Sequence, residues 1–220
     1  KVNLYRQTNI YIYKCIYKSL VYISREKKMK AVVSKLHCSS MEEVMVVRRR
    51  PHVVNGGGFV VSNCKDDKIV FKIDGCGVLG TKGELVLRDG DGNDLLLIHK
   101  KGGVVQALSI HNKWRGYSYD YQGSVKPVFT LRDPKHSCFS ITSSIRISVG
   151  PGNCYFDVRG YFPDRDCSII DSTGNVIAKV KEWVGSRDIY KVVIKPSVDK
   201  AFVFGVIAVL DYIYGESTSC

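Results

Sequence analysis

From residue 29 onward, short apolar runs alternate with polar positions, and Gly, Asp, Asn or Pro closes each run. Such runs, enriched in β-branched and aromatic residues and bounded by turn formers, predict β-strands. The pattern places strands near Val44–Arg49, Gly58–Ser62, Lys68–Asp74, Glu84–Arg88, Leu95–Lys100, Val104–Ile110 and Trp114–Asp120. Further strands follow near Val128–Arg132, Cys138–Val149, Tyr155–Arg159, Cys167–Ile170, Val176–Glu182 and Ile189–Ile194. Almost no helical periodicity separates them, so the chain reads as an all-β barrel or sandwich. Hairpin turns are written out at Asp89-Gly90-Asp91-Gly92-Asn93-Asp94 and Asp171-Ser172-Thr173-Gly174-Asn175, where Gly and Asn supply positive φ.

The last stretch breaks this rhythm. Residues 198–214 predict a helix, with Ser197 as N-cap, Asp199 at the positive helix start and Gly215 at the C-terminal cap. Positions 201–210 are apolar on every face, which demands burial on all sides. An uncharged run of ten covers roughly 15 Å, about half of a bilayer's hydrocarbon core. The reading is a core helix inside a β shell.

Charge changes the picture less than it first suggests. The chain of 220 residues carries a formal +12, but residues 1–28 hold half of that excess. This first segment is rich in Lys, Ile, Tyr and Asn and lacks Gly, Ala, Pro and Asp. It reads as extraneous to the fold, a translated leader ahead of Met29, with residues 29–220 forming one domain. Lys14 and Lys18 interrupt its apolar stretch, so it lacks the core of a signal peptide. The remaining +6 is too dilute for a nucleic-acid stripe. The eight cysteines show no C-x-x-C pair and no zinc spacing, which suits reduced thiols.

Motifs for catalysis or cofactors do not hold up in context. Gly75-Cys76-Gly77-Val78-Leu79-Gly80 spells G-x-G-x-x-G, but a strand follows where the dinucleotide fingerprint needs a helix. The acidic run 89–94 opens like an EF-hand loop, yet Asp94 stands where Gly is required and Lys100 where Glu is required. The five histidines are scattered and no nucleophile elbow occurs. Phe162-Pro163-Asp164-Arg165-Asp166 reads as a surface loop. No enzyme, cofactor or metal site is expected.

The strand-and-turn segments, taken in order, resemble the LURP-one-related (LOR) family of plant proteins over roughly residues 40–215. The resemblance rests on Phe59-Val60-Val61 running into Ile69-Val70-Phe71-Lys72-Ile73-Asp74-Gly75, and on Leu85-Val86-Leu87-Arg88-Asp89 with Gly92-Asn93 and Leu95-Leu96. It continues through His111-Asn112-Lys113-Trp114, Tyr155-Phe156-Asp157-Val158-Arg159-Gly160-Tyr161-Phe162, Cys167-Ser168-Ile169 and Val198-Asp199-Lys200-Ala201-Phe202. That family is similar in fold to the tubby C-terminal domain and to phospholipid scramblases. The resemblance implies a mainly β protein, a closed antiparallel barrel of about twelve strands around a central hydrophobic C-terminal helix.

It also implies a function: a non-enzymatic, monomeric cytoplasmic module in plant defence or stress response. Such a module would be peripheral to membranes or shuttle to the nucleus, and would bind anionic phospholipid, phosphoinositide or a protein partner. Scramblase-like lipid transport and a lipid-free protein scaffold are the alternatives. The first is weakened because neither a cysteine-rich palmitoylation site nor a calcium-binding segment is visible. The candidate lipid contacts are Arg48, Arg49 and Arg50, of which strand geometry puts only Arg48 and Arg50 on one face. Lys100 and Lys101 are the next candidates.

Overall fold

The computed structural model describes residues 31–50, 57–75, 83–101, 111–119, 124–134, 145–150, 154–214 and Thr218. Twelve strands are seen: β1 (Glu43–Arg50), β2 (Gly58–Asn63), β3 (Ile69–Asp74), β4 (Glu84–Asp89), β5 (Asp94–Lys100), β6 (His111–Tyr119) and β7 (Val125–Pro134) are followed by β8 (Ile145–Val149), β9 (Cys154–Tyr161), β10 (Asp166–Asp171), β11 (Val176–Trp183) and β12 (Ser186–Ile194). Each pairs antiparallel with its sequence neighbour, and β1 pairs with β12, from Glu43 opposite Ile194 to Arg48 opposite Ile189. The result is a closed up-and-down barrel. The expected strand Val104–Ile110 lies outside the described residues, as do positions 138–144 of the strand expected at Cys138–Val149. Residues 1–28, expected to be extraneous to the fold, and most of the G-x-G-x-x-G run fall outside them too.

Side-chain alternation decides which face is core. Met45, Val47, Phe59, Val61, Phe71, Ile73, Leu96, Ile98, Ile147 and Phe156 point inward and are fully buried or nearly so. A barrel of twelve strands encloses more space than strand side chains alone can fill, since diameter grows with strand number. One helix, α1 (Lys200–Ile213), occupies that interior, and every residue from Ala201 to Asp211 is buried. Its aromatic side chains meet the wall: Phe202 lies 5.0 Å from the Phe156 ring and Phe204 5.6 Å from Phe71. Wall and helix form one core.

The helix start differs from expectation. Asp199, not Ser197, is the N-cap, and its side chain accepts from the backbone N–H groups of Ala201 and Phe202. Ser197 has φ 63°, and its N–H donates to the Ser39 carbonyl at 2.7 Å, so it belongs to the turn that leads in. Asp199 also accepts from the N–H groups of Val33 and Ser34 at 2.7 and 3.0 Å. Residues 31–42, with a single 3-10 turn at Lys35–His37, thereby close the barrel end where α1 begins. Lys195–Glu42 and Lys200–Glu43 ion pairs, at 2.6 and 2.7 Å, fasten the same end. At the opposite end, Thr218 donates its N–H to Asp211 Oδ2 at 2.6 Å.

The two sequence-encoded hairpins share one construction. Asp89 Oδ1 accepts from the N–H groups of Asp91 and Asn93, while Asn93 Nδ2 donates to Asp89 Oδ2. Asp171 repeats this with Thr173 and Asn175. Hydrogen bonds from these donors outweigh burial and hold both carboxyls below their ordinary range. The acidic run is thus a self-satisfied turn. The loop expected at 162–166 needs correction: Phe162 is buried, and the buried Arg165 guanidinium lies 4.7 Å from the Phe162 ring and 4.4 Å from Tyr190. Apolar and charged side chains alike turn inward there because the segment folds over the rim above Tyr190.

Candidate functional site

The rim at the C-terminal end of α1 carries the groups of interest. Arg48, Arg49 and Arg50 end β1 there, but the structure does not bring them together as one patch. Arg48 faces outward, half exposed, 3.5 Å from Asp67. Arg49 turns to the other face, next to Tyr190, and lies 3.5 Å from Asp188. Arg50 Nη2 donates to the Ile73 carbonyl at 2.6 Å, to the Gly57 carbonyl at 3.2 Å and to Asp74 Oδ1. Asp74 is shared with Arg88, which also binds Asp94 at 2.6 Å. Each of the three arginines therefore has an acidic neighbour. Arg50 is a structural clamp.

Across the barrel the register assembles a different set. Lys113 of β6 stands directly opposite Arg132 of β7, and Arg132 directly opposite Arg146 of β8. Lys101, just past β5, donates its backbone N–H to the Lys113 carbonyl at 2.7 Å and extends the row by one strand. At strand spacings of ~4.8 Å, four cations thus span roughly 15 Å of outer wall. Among the described residues only the far end is compensated: Arg146 Nε meets Asp157 Oδ1 at 2.9 Å. Arg115 adds a fifth cation two residues along β6, above the His99–Glu84 contact of 3.4 Å. Partial burial, then the charges of Arg132, Lys101 and Arg115, push the Lys113 ammonium below its ordinary value.

Like charges directly opposite each other destabilise a sheet, by a few tenths to ~1 kcal/mol per pair. A row of them makes this face a candidate for binding. The chemistry on offer is anion binding: two guanidinium forks and two ammonium groups, on rigid strands, facing solvent. Lys100 does not join them. It alternates to the inner side, with Nζ about 6 Å from the Trp114 and Tyr212 ring centroids. Sequence reading named Lys101 but missed Lys113, Arg132 and Arg146, because the members are far apart in the chain and become neighbours only through register. The available signal was that outward positions near the rim on successive strands are all basic.

Other chemistries find little purchase among the described residues. No three His, Cys, Asp or Glu side chains converge as a metal site. The Cys167 thiol is buried, and burial pushes its pKa up to about 12, which makes it inert. No helix is long and apolar enough to cross a membrane.

Comparison with known proteins fixes the kinship. The family model for LURP-one-related proteins matches residues 43–211. The chain belongs to the LURP-one-related family. It is 92% identical to Protein LURP-one-related 6 of Arabidopsis thaliana over 192 residues, 87% of this chain and all of that protein. It is 55% identical to Protein LURP-one-related 16 of the same plant, over 86% of this chain and 95% of that one. Protein LURP-one-related 12 is 29% identical over 86% and 87% of the two chains. No solved structure matches significantly. The cation row, from Lys101 to Arg146, lies wholly within the stretch that the LURP-one-related model covers.

Proposed function

We propose that this LURP-one-related chain is a non-catalytic module that docks on anionic phospholipid, phosphoinositide included, at the cytoplasmic face of plant membranes in defence or stress response. The observation that supports it is the row Lys101–Lys113–Arg132–Arg146, in which adjacent strands place cation against cation and, among the described residues, only Asp157 answers at one end. Each cation near an anionic surface contributes about 1 kcal/mol, so the net three unpaired charges favour binding by ~3 kcal/mol, near a hundredfold. Attachment is peripheral: α1 is buried inside the barrel from Ala201 to Asp211. This disfavours the scramblase-like alternative, in which a helix would enter the bilayer.

The test compares the full chain with a variant bearing Lys101, Lys113, Arg132 and Arg146 each changed to Gln. Any binding by residues 1–28 is common to both. Co-sedimentation is measured with phosphatidylcholine vesicles, alone or with phosphatidylserine or phosphatidylinositol bisphosphate, at low and high salt. Excess inositol hexakisphosphate in a parallel arm separates a membrane surface from a soluble phosphate ligand. The expected result is anion-dependent, salt-sensitive binding that falls sharply in the variant. Equal binding by both proteins overturns the site, and the absence of binding at low salt leaves a protein partner as the better reading.

A further inference from the structure

At the same end of the barrel as the cation row, β11 and β12 join through a two-residue tip, Val184-Gly185. Trp183 pairs with Ser186 after a register irregularity, and Gly185 takes φ 88° to close the turn. A Cβ built on Gly185 would meet nothing within 4 Å, so the tip stands clear of the rest of the wall. Its apex is apolar. Val184 is 94% exposed, the largest exposure of any large hydrophobic among the described residues. A hairpin turn is ordinarily made of Gly, Asn and Asp, so a bare valine there is out of keeping with the two Asp–Asn turns of this barrel.

The surroundings of the tip select its occupant. Trp183 is half buried beneath the Lys191 ammonium, whose Nζ lies 4.3 Å from the ring centroid. Lys181 and Lys191 stand directly opposite each other, another like-charge pair on the outer face, two residues before and eight after Trp183 in the chain. Arg187 is exposed beside the turn. The nearby acids do not cancel these charges: Asp188 lies against Arg49, and Glu182 alternates to the Val180 side of β11. Tyr161, half exposed at the end of β9, adds a second aromatic along this rim and leans on Tyr214 at 5.5 Å. An apolar apex, an aromatic shoulder and a cationic base suit a bilayer interface, where Trp and Tyr collect at headgroup level.

We propose that the Trp183-Val184-Gly185 hairpin tip is an apolar wedge that enters the interfacial layer of an anionic bilayer, with Lys181 and Lys191 beside the lipid phosphates. The proposal rests on the reading of the cation row as a membrane-docking surface and gives that docking an orientation. The barrel stands end-on, with the C-terminal end of α1 toward the lipid and the residues 31–42 closure pointing away.

The chain has two tryptophans, and Trp114 is 1% exposed, so a bilayer-dependent fluorescence change reports Trp183. The full chain is mixed with vesicles of phosphatidylcholine and phosphatidylserine, with the phosphatidylcholine brominated near the headgroup end or deep in the acyl chain. Co-sedimentation is followed in parallel. The expected result is a blue shift with quenching stronger for shallow bromines, lost in Trp183→Phe. Val184→Asp should keep the native melting temperature, because Val184 is 94% exposed, and should bind roughly tenfold more weakly with the quenching gone. Co-sedimentation with no shift or quenching overturns the wedge while the cation row stands. A shift that tracks protein concentration without lipid also overturns it, in favour of a second copy at the tip. No co-sedimentation at low salt overturns both.

Discussion

The Asp199 carboxylate accepts the Val33 backbone N–H at 2.7 Å, joining the first described residues of the chain to the start of its last helix. Together with Ser34, Ala201 and Phe202, this gives one buried carboxylate four backbone donors. Hydrogen bonds to a charged acceptor contribute about 1.5–3 kcal/mol each, and removing the acceptor leaves buried N–H groups unpaired. Asp199→Ala should therefore cost ~3–5 kcal/mol, much of a typical domain's stability. Urea unfolding measures it. Asn, with one carbonyl oxygen, should fall between, and a loss under about 1 kcal/mol for Ala would show that the closure is dispensable.

His37 makes the same closure sensitive to acid. Its ring packs edge-on against Phe71 at 5.1 Å, and burial lowers its pKa below the ordinary 6.5, with the nearby Asp199 charge opposing. The unfolded chain then takes up the proton first as pH falls. Stability from this residue is complete above 6.5 and declines as pH drops through the lower folded pKa. Thermal melts between about pH 7.5 and 5 should show a decline that His37→Leu flattens. Parallel curves for the two proteins would remove His37 as the cause.

The fold was legible because the barrel is an up-and-down meander whose strands and turns are written locally. The Asp89 and Asp171 turns could be placed from their own residues, and the apolar stretch 201–210 could be placed inside because no face of it tolerates water. Contacts made at a distance were not legible. Ser197 and Asp199 are equally good N-cap residues for a helix read in isolation, and Asp199, which caps Ala201 and Phe202, also collects Val33 and Ser34 from the far end of the chain. The Arg48–Arg50 triplet drew attention because it is contiguous, whereas its members answer Asp67, Asp188 and Asp74. Lys113 and Arg132 look unremarkable in sequence and become a site only through register.

Phe129 depends on a glycine. A Cβ on Gly116, its cross-strand partner, would sit 2.3 Å from the Phe129 ring. The ring cannot retreat, because Phe202 lies 5.7 Å away on its helix side. Gly116→Ala should cost ~2–3 kcal/mol through overpacking, despite the better strand propensity of Ala. Adding Phe129→Leu should recover part of that loss. Chemical denaturation of the single and double variants reads the coupling, and additive losses would mean the two positions do not share the space.

Strain in the cation row predicts a trade between stability and binding. Lys113 opposes Arg132, and Arg132 opposes Arg146, so Arg132 has a cation on both sides. Arg132→Gln removes both repulsions and should raise stability by up to ~1 kcal/mol, a few degrees in melting temperature. The same change should weaken binding to phosphatidylserine vesicles by about 1 kcal/mol, near fivefold, and make binding less sensitive to salt. Arg146 is the control. Its Asp157 partner at 2.9 Å offsets the repulsion, so Arg146→Gln leaves an acid without its cation and should gain nothing in stability. Both variants should fold, because both side chains are exposed on the outer wall. Melting and vesicle co-sedimentation, run on the same preparations, read the two quantities. A more stable Arg132→Gln with undiminished vesicle binding would show that the row is a tolerated repulsion and that the anion site lies elsewhere.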